Sequence, residues 1–291
     1  MNQPSPNNPS HPSNPSASNL PIPSASNYDI DVVIPFCKTD AHLVNVAIAS
    51  ILVQVGVSPL IHVVADNCDF PDNLPNKEGI RYYRTDSTLG PGRIANAVVA
   101  HHAVTPYLAL QDADDISFPT RLIKQLDKLR NGFDQVSAAM IQKGLPGYKG
   151  NRHVEEPILK CGGTFGNVPK GRLINSTRAV SIEMFKRING FCELMCSQDL
   201  ALDNVTSFLG IPTYCFEEPL ATRRLHPDSL TNGPHFTRDK GSGGQEVLRR
   251  QRELLNQIRN SPTYNTARSQ GCLDKAKPLC QIANIYSKES A

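Results

Sequence analysis

The sequence predicts an α/β sandwich built on a mostly parallel sheet, and three observations carry that expectation. From Tyr28 onward, short β-branched runs alternate with segments whose apolar residues recur at helical spacing. The first such run is cut off by a proline, as a buried strand requires. A chain of 291 residues with 39% apolar residues is also large enough to bury a sizeable core. In order, Ile30 to Ile34 reads as a strand stopped by Pro35, and Leu43, Ala47, Ile48, Ile51 and Leu52 mark a helix. Ile61 to Ala65 and Ile80 to Arg84 read as strands; Ile94, Ala97, Val98 and His101 as a helix; Tyr107 to Leu110 as a strand. Pro119 is placed to open a helix carrying Leu122, Ile123, Leu126 and Leu129 on one side. After Asn131 the pattern loosens, and Lys143 to Gly171 reads as loop with at most short strands. Structure resumes at Arg178 to Ile182. A helix over Glu183 to Ile188 follows, with Asn189-Gly190 as its C-cap. Asp199 to Leu209 reads as a helix ended by Gly210 and Pro212, and Glu246 to Ile258 as a last one.

Residues 1–27 stand apart. Pro, Ser and Asn supply 20 of these 27 positions, and none is charged. Such a stretch buries too little apolar area to offset its ordering entropy, so it is expected to be a disordered tail. Residues 28–235 are expected as the folded domain and 236–291 as a helical extension. The net charge of +3 is too slight for a nucleic-acid surface. No apolar span nears the roughly 20 residues that cross a bilayer. No secretory signal is readable at the N-terminus, and the eight cysteines contain no Cys-x-x-Cys pair. These features lead to an expectation of reduced thiols in a cytoplasmic protein. The arginines at 249, 250, 252 and 259, beside an apolar stripe, add an expectation of peripheral contact with the inner membrane surface.

The most informative stretch is Leu110-Gln111-Asp112-Ala113-Asp114-Asp115, directly after a strand. In extended chain, residues two apart point the same way, so Asp112 and Asp114 project together from the strand's end. Two carboxylates held together repel unless a cation neutralises them, and hard divalent ions prefer oxygen ligands. Ligands of open α/β sheets bind at the carboxyl ends of the strands, where this pair stands.

Further stretches share one pattern. Val33 to Phe36, Ala49 to Gln54, and Val63-Val64-Ala65-Asp66-Asn67 come first, then Leu89-Gly90 with Arg93 and Asn96. Tyr107 to Asp115, Phe185-Lys186-Arg187-Ile188-Asn189-Gly190-Phe191, Ser197-Gln198-Asp199 and Arg223 to Ser229 follow in order. Over about residues 30–232 this series resembles a family 2 glycosyltransferase of the GT-A fold, a three-layer α/β/α sandwich. The resemblance implies an inverting transfer of a single sugar from a nucleoside-diphosphate sugar to an acceptor hydroxyl, helped by Mn²⁺ or Mg²⁺. It implies Asp199 as the base and Asp112, Asp114 and His226 as metal ligands. It places Pro35, Phe36, Asp66, Gly90, Arg93, Asn96, Asp112, Ala113 and Arg224 around the nucleotide sugar. The acceptor is left open among a glycan, a lipid-linked and a small-molecule one. Three residues depart from the family pattern: Ala65 for an acid, Gln198 for Glu, and Asn189 for Gly. The first two motivate an alternative, a non-catalytic nucleotide-sugar-binding protein. A nucleotidyltransferase is a weaker alternative, because no Gly-rich phosphate loop follows the first strand. The absence of tryptophan sets the chain apart from processive synthases, which carry a Gln-x-x-Arg-Trp signature.

Overall fold

The computed structural model describes residues 27–38, 41–144, 173–194, 198–226 and 261–282. It also describes short pieces at 158–159, 164–165 and 168–169 and isolated positions between 249 and 260. The expected tail and most of the expected helix over Glu246 to Ile258 lie outside the described residues.

Four parallel strands form the half of the sheet that the sequence pattern anticipates. They are β1 (Ile30–Phe36), β2 (Pro59–Asp66), β3 (Ile80–Thr85) and β4 (Tyr107–Leu110), in the order β3-β2-β1-β4. Their crossovers carry α1 (Val44–Leu52) and α2 (Pro91–His101). Beyond β4 come β5 (Asp115–Ser117), α3 (Arg121–Arg130), β6 (Gln135–Gly144) and the two-residue strands β7 (Ile158–Leu159), β8 (Thr164–Phe165) and β9 (Val168–Pro169). Then follow β10 (Ala179–Ser181), α4 (Ile182–Arg187), α5 (Gln198–Phe208), β11 (Thr213–Leu225), α6 (Tyr264–Gln270) and β12 (Cys280–Ile282). The full sheet is mixed, β12-β3-β2-β1-β4-β10-β6-β11-β5, with β7 on β6 and with β10 antiparallel to both its neighbours.

Alternation along β1 explains the layering. Val32, Ile34 and Phe36 pack on one face with Ile48 and Ile51 of α1 and Leu122 and Leu126 of α3. Val33 packs on the other face with Ile94 and Val98 of α2, Phe185 of α4 and Leu202 of α5. The central strands are buried on both faces, so they read as near-continuous apolar runs.

Two features depart from the sequence pattern. First, β6 and β11 form a long parallel pair where no strand was expected. Second, the region expected as a helical extension contributes α6, whose Ala267 sits in the α2-side core, and β12, which pairs with β3 at the sheet edge. Asn189 fixes this return. At φ +65° it occupies the left-handed region, and its Nδ2 donates to the carbonyls of Arg268 and Gly271, each at 3.0 Å. Its Oδ1 accepts from the Asp274 amide at 3.0 Å. A glycine at this position would leave all three unmade.

Candidate active site

The carboxyl ends of β1, β2 and β4 bring two groups of side chains to one rim of the sheet. The first follows β4. Asp112, Asp114 and Asp115 each offer a carboxylate oxygen, and these oxygens lie within 4.8 Å of one another. Asp112 and Asp114 are half-buried, whereas Asp115 is buried. His226, just past β11, sets its Nε2 at 3.2 Å from Asp114 Oδ2. Asp115 is held from behind: the Ser176 hydroxyl donates to its Oδ2 at 2.5 Å and the Arg224 amide to its Oδ1 at 3.2 Å. Burial, reinforced by the charges of Asp114 and Asp112, pushes the Asp115 carboxyl well above the usual carboxylate range.

The turn that presents these acids is braced by neutral groups around a buried cation. Gln111 Nε2 donates to the carbonyls of Asp112 and Asp115, at 2.9 and 3.0 Å. Gln111 Oε1 accepts from Ser117 Oγ and from Arg121. Arg121, at the start of α3, has no exposed surface and donates further to Ser117 Oγ and the Leu110 carbonyl. Burial lowers its pKa to about 10, and the charges of Asp112 and Asp115 oppose that shift. Arg121 thus places positive charge beneath the acidic turn. Arg224 grips the same turn from the front. Its guanidinium donates to the carbonyls of Asp114, Ala113 and Leu43, so it joins the turn to the start of α1.

The second group lies at the ends of β2 and β1. Asp66 Oδ1 accepts from the Leu89 amide and the Thr85 hydroxyl, and Oδ2 from the Gly90 amide at 2.8 Å. Gly90 has φ +79°, a conformation that favours glycine, and it turns the chain into Pro91 at the start of α2. Arg93 returns to the carbonyl of Leu89 and lies 3.8 Å from Glu193. Pro35 is half-buried and Phe36 buried at the end of β1.

A clustered set of anionic oxygens with one imidazole suits a divalent cation such as Mg²⁺ or Mn²⁺. With this geometry in view, the comparisons decide the family. The family model for Glycosyl transferase family 2 matches residues 31–182, more than half of the chain. The chain belongs to glycosyltransferase family 2.

The structure of this transferase is similar in fold to that of S. aureus TarS. For TarS 1–349 in complex with UDP-GlcNAc the identity is 17% and the TM-score 0.55, covering 78% of this chain and 67% of that one. For TarS 1–349 in complex with UDP the values are 16% and 0.52, covering 68% and 61%. For a longer TarS structure they are 16% and 0.53, covering 78% and 40%. The transferase therefore spans about three fifths of the UDP-bound structure and two fifths of the longer one. No curated protein matches its sequence significantly.

The remaining expected residues lie around α2 and α5. Asn96 is buried, and its amide bonds both ways with Phe191: Nδ2 donates to the carbonyl and Oδ1 accepts from the amide, each at 2.9 Å. It fixes the Asn189-Gly190-Phe191 turn rather than facing the rim. Gly190 is at φ +70°, and a Cβ there would meet Asn96 Oδ1 at 2.3 Å. Asp199 is buried in the first turn of α5. The neighbouring Gln198 lies against the start of α2, its Cγ only 2.7 Å from where a Cβ on Gly92 would stand. Sequence reasoning missed Gln111, Ser176 and Arg121 and gave Asp115 no role of its own. The available signal was an acid immediately after the Asp-x-Asp pair and an Arg121–Gln125 pair one helical turn apart, joined here at 3.1 Å.

Proposed function

We propose that this transferase moves one sugar from a uridine-diphosphate sugar to an acceptor hydroxyl, with inversion at the anomeric carbon and a divalent cation at the acidic turn. The observation that carries the reading is the cluster of Asp112, Asp114 and His226 at the end of β4, with Asp115 behind it. The choice of uridine draws on the TarS structures, which bind UDP and UDP-GlcNAc. Asp112, Asp114 and His226 would hold Mn²⁺ or Mg²⁺, which stabilises charge on the departing diphosphate as a Lewis acid.

The chain's own residues do the rest. Asp66 holds the 88–90 turn, and so sets Gly90 and the N-terminus of α2 at the rim, where a helix start favours anionic phosphate. Arg93 adds a positive charge on that first turn. Arg224 positions the acidic turn through its carbonyls. Asp199 takes the acceptor proton as the acceptor oxygen bonds to the anomeric carbon. The bond from that carbon to the diphosphate breaks, and its electron pair leaves with the diphosphate. A positioned base of this kind contributes roughly 10²–10⁴ in rate.

The test has two parts. A thermal-shift series with UDP, GDP and UDP-GlcNAc should show stabilisation by the uridine ligands that a chelator removes. Asp199→Asn should keep UDP affinity and lose transfer by roughly 10²-fold or more. Equal shifts with and without metal would overturn the metal assignment, and unimpaired transfer by Asp199→Asn would overturn the base.

A further inference from the structure

Beside the start of α2 lies a cleft of about 240 Å³ that the reading above leaves unused. Cys192, Glu193 and Leu194 form one wall, after the turn that Asn96 holds. Ser269, Gln270 and Lys275 stand on the other, supplied by α6 and the segment after it. That second wall lies outside residues 31–182 and is held in place by the Asn189 bonds to residues 268–274.

Two contacts tie the cleft to the reaction centre. Glu193 lies 3.8 Å from Arg93, on the first turn of α2. Phe191 Cβ and Gln198 Cβ lie 3.2 and 3.3 Å from the point where a Cβ on Gly92 would stand, which sets the residue before Cys192 beside the residue before Asp199. The cleft therefore adjoins the arginine on the donor side, and its first wall follows directly on the turn that packs with the start of α5, where Asp199 stands. Its volume is smaller than the roughly 300–1,000 Å³ of pockets for drug-sized ligands, so it suits about one sugar ring. Its chemistry is mixed. Glu193 accepts hydrogen bonds, Lys275 donates, and Ser269 and Gln270 do both, while Leu194 and Cys192 offer apolar surface. Glu193 and Glu253 against the single ammonium of Lys275 leave a net negative lining that repels an anion, and the alternation of donors and acceptors matches vicinal hydroxyls.

We infer that this cleft is the acceptor subsite, and that it takes a neutral, polyhydroxylated ring whose reacting hydroxyl points toward Asp199. The inference rests on the transferase reading above and goes beyond it by giving the acceptor's place and chemical class. It makes the C-terminal segment part of the binding machinery, which the family match does not reach.

Saturation-transfer NMR on the full chain, with UDP and Mn²⁺ present, tests it. The probes are methyl β-glucopyranoside and glucose 6-phosphate, with UDP affinity measured separately by calorimetry. The expected result is saturation of the neutral glucoside, weaker for the phosphate, and lost by about fivefold or more in Ser269→Trp, which fills the cleft from an exposed position. Lys275→Glu, also at an exposed position, should weaken the glucoside signal without a fall in melting temperature, which covers the case of a Trp variant that does not fold. UDP binding with a glucoside signal that is absent, or unchanged in the folded variants, overturns the cleft assignment alone. A stronger signal from glucose 6-phosphate overturns the neutral class. Failure of the parent chain to bind UDP overturns the transferase reading beneath both.

Discussion

Two aspartate–histidine pairs in this molecule look alike on paper and differ in use. Asp31 and His62 sit 2.7 Å apart, with neither side chain exposed. Asp31 Oδ2 also accepts from the amides of Val104 and Thr105 and from the Thr105 hydroxyl, and His62 Nδ1 meets the Tyr83 hydroxyl. Asp114 and His226 sit 3.2 Å apart, with the carboxylate side chain 21% exposed and two further carboxylates nearby. The first pair is closed, because donors surround the carboxylate and it stitches β1 to β2 and to the loop before β4. The second is open, because two further carboxylates offer oxygens within 4.8 Å of it and its own carboxylate remains partly exposed. A carboxylate surrounded by donors is already satisfied; one crowded by other carboxylates suits a cation.

Exchanging the roles breaks the comparison most sharply. Asp114→Asn should lower transfer by about 10³-fold, as loss of several kcal/mol of charge stabilisation implies, while the metal-free protein melts no lower. Asp31→Ala should cost stability instead, at roughly 1–3 kcal/mol for each buried group left unpaired, with near-normal activity per folded molecule. Urea unfolding and initial rates on both variants check this; a collapse of activity without unfolding in Asp31→Ala would show the closed pair to be functional. Next in size, Mn²⁺ at a hundredfold excess over its Kd should stabilise the parent chain by about 2.7 kcal/mol and Asp114→Asn far less, read as the shift in melting temperature.

A smaller effect is expected at Asn96. Asn96→Ala strands the amide of Phe191, whose carbonyl keeps the Cys272 amide, so denaturant unfolding should show a loss of roughly 1–3 kcal/mol. The effect on donor KM should be slight, and a large rise in KM with unchanged stability would return Asn96 to the donor site. The smallest expected effect concerns pH. His102 is held near pKa 4 by burial, with lesser contributions from His62, His101 and Arg81, and its Nε2 accepts from the Leu279 amide. Its folded pKa lies below the unfolded value of about 6.5, so the unfolded chain binds the proton first. Stability should therefore fall as pH drops from about 6.5 to about 4, and His102→Gln should flatten that slope in melting curves.

The sequence made the parallel half of the sheet legible because its strands are buried on both faces and rich in Val and Ile. The β6–β11 pair was hidden for two reasons. Around Ser137-Ala138-Ala139, β6 consists of small, weakly β-forming residues that are nonetheless fully buried. Strand β11 contains Pro219, at which its register against β6 shifts. At the site, Asp112 and Asp114 were legible as an acidic pair directly after a strand, although they stand on a turn closed by the Asp115 amide on the Asp112 carbonyl and not on extended chain. The engagement of Asp66 with the 88–90 turn, and the placing of Arg121 under the acids, depend on contacts that no local spacing encodes. Asn189 is the instructive departure: sequence reasoning accounted for its tolerance of positive φ, and only the fold shows what its amide holds.

The antiparallel β12 caps β3, so a fragment ending at residue 235 would leave a strand of paired-looking but unmatched amides along the outer border of the sheet. Such a border is a template for another copy of itself. Shortened chains that stop there should precipitate or form sticky multimers when expressed, even with every donor-side residue intact.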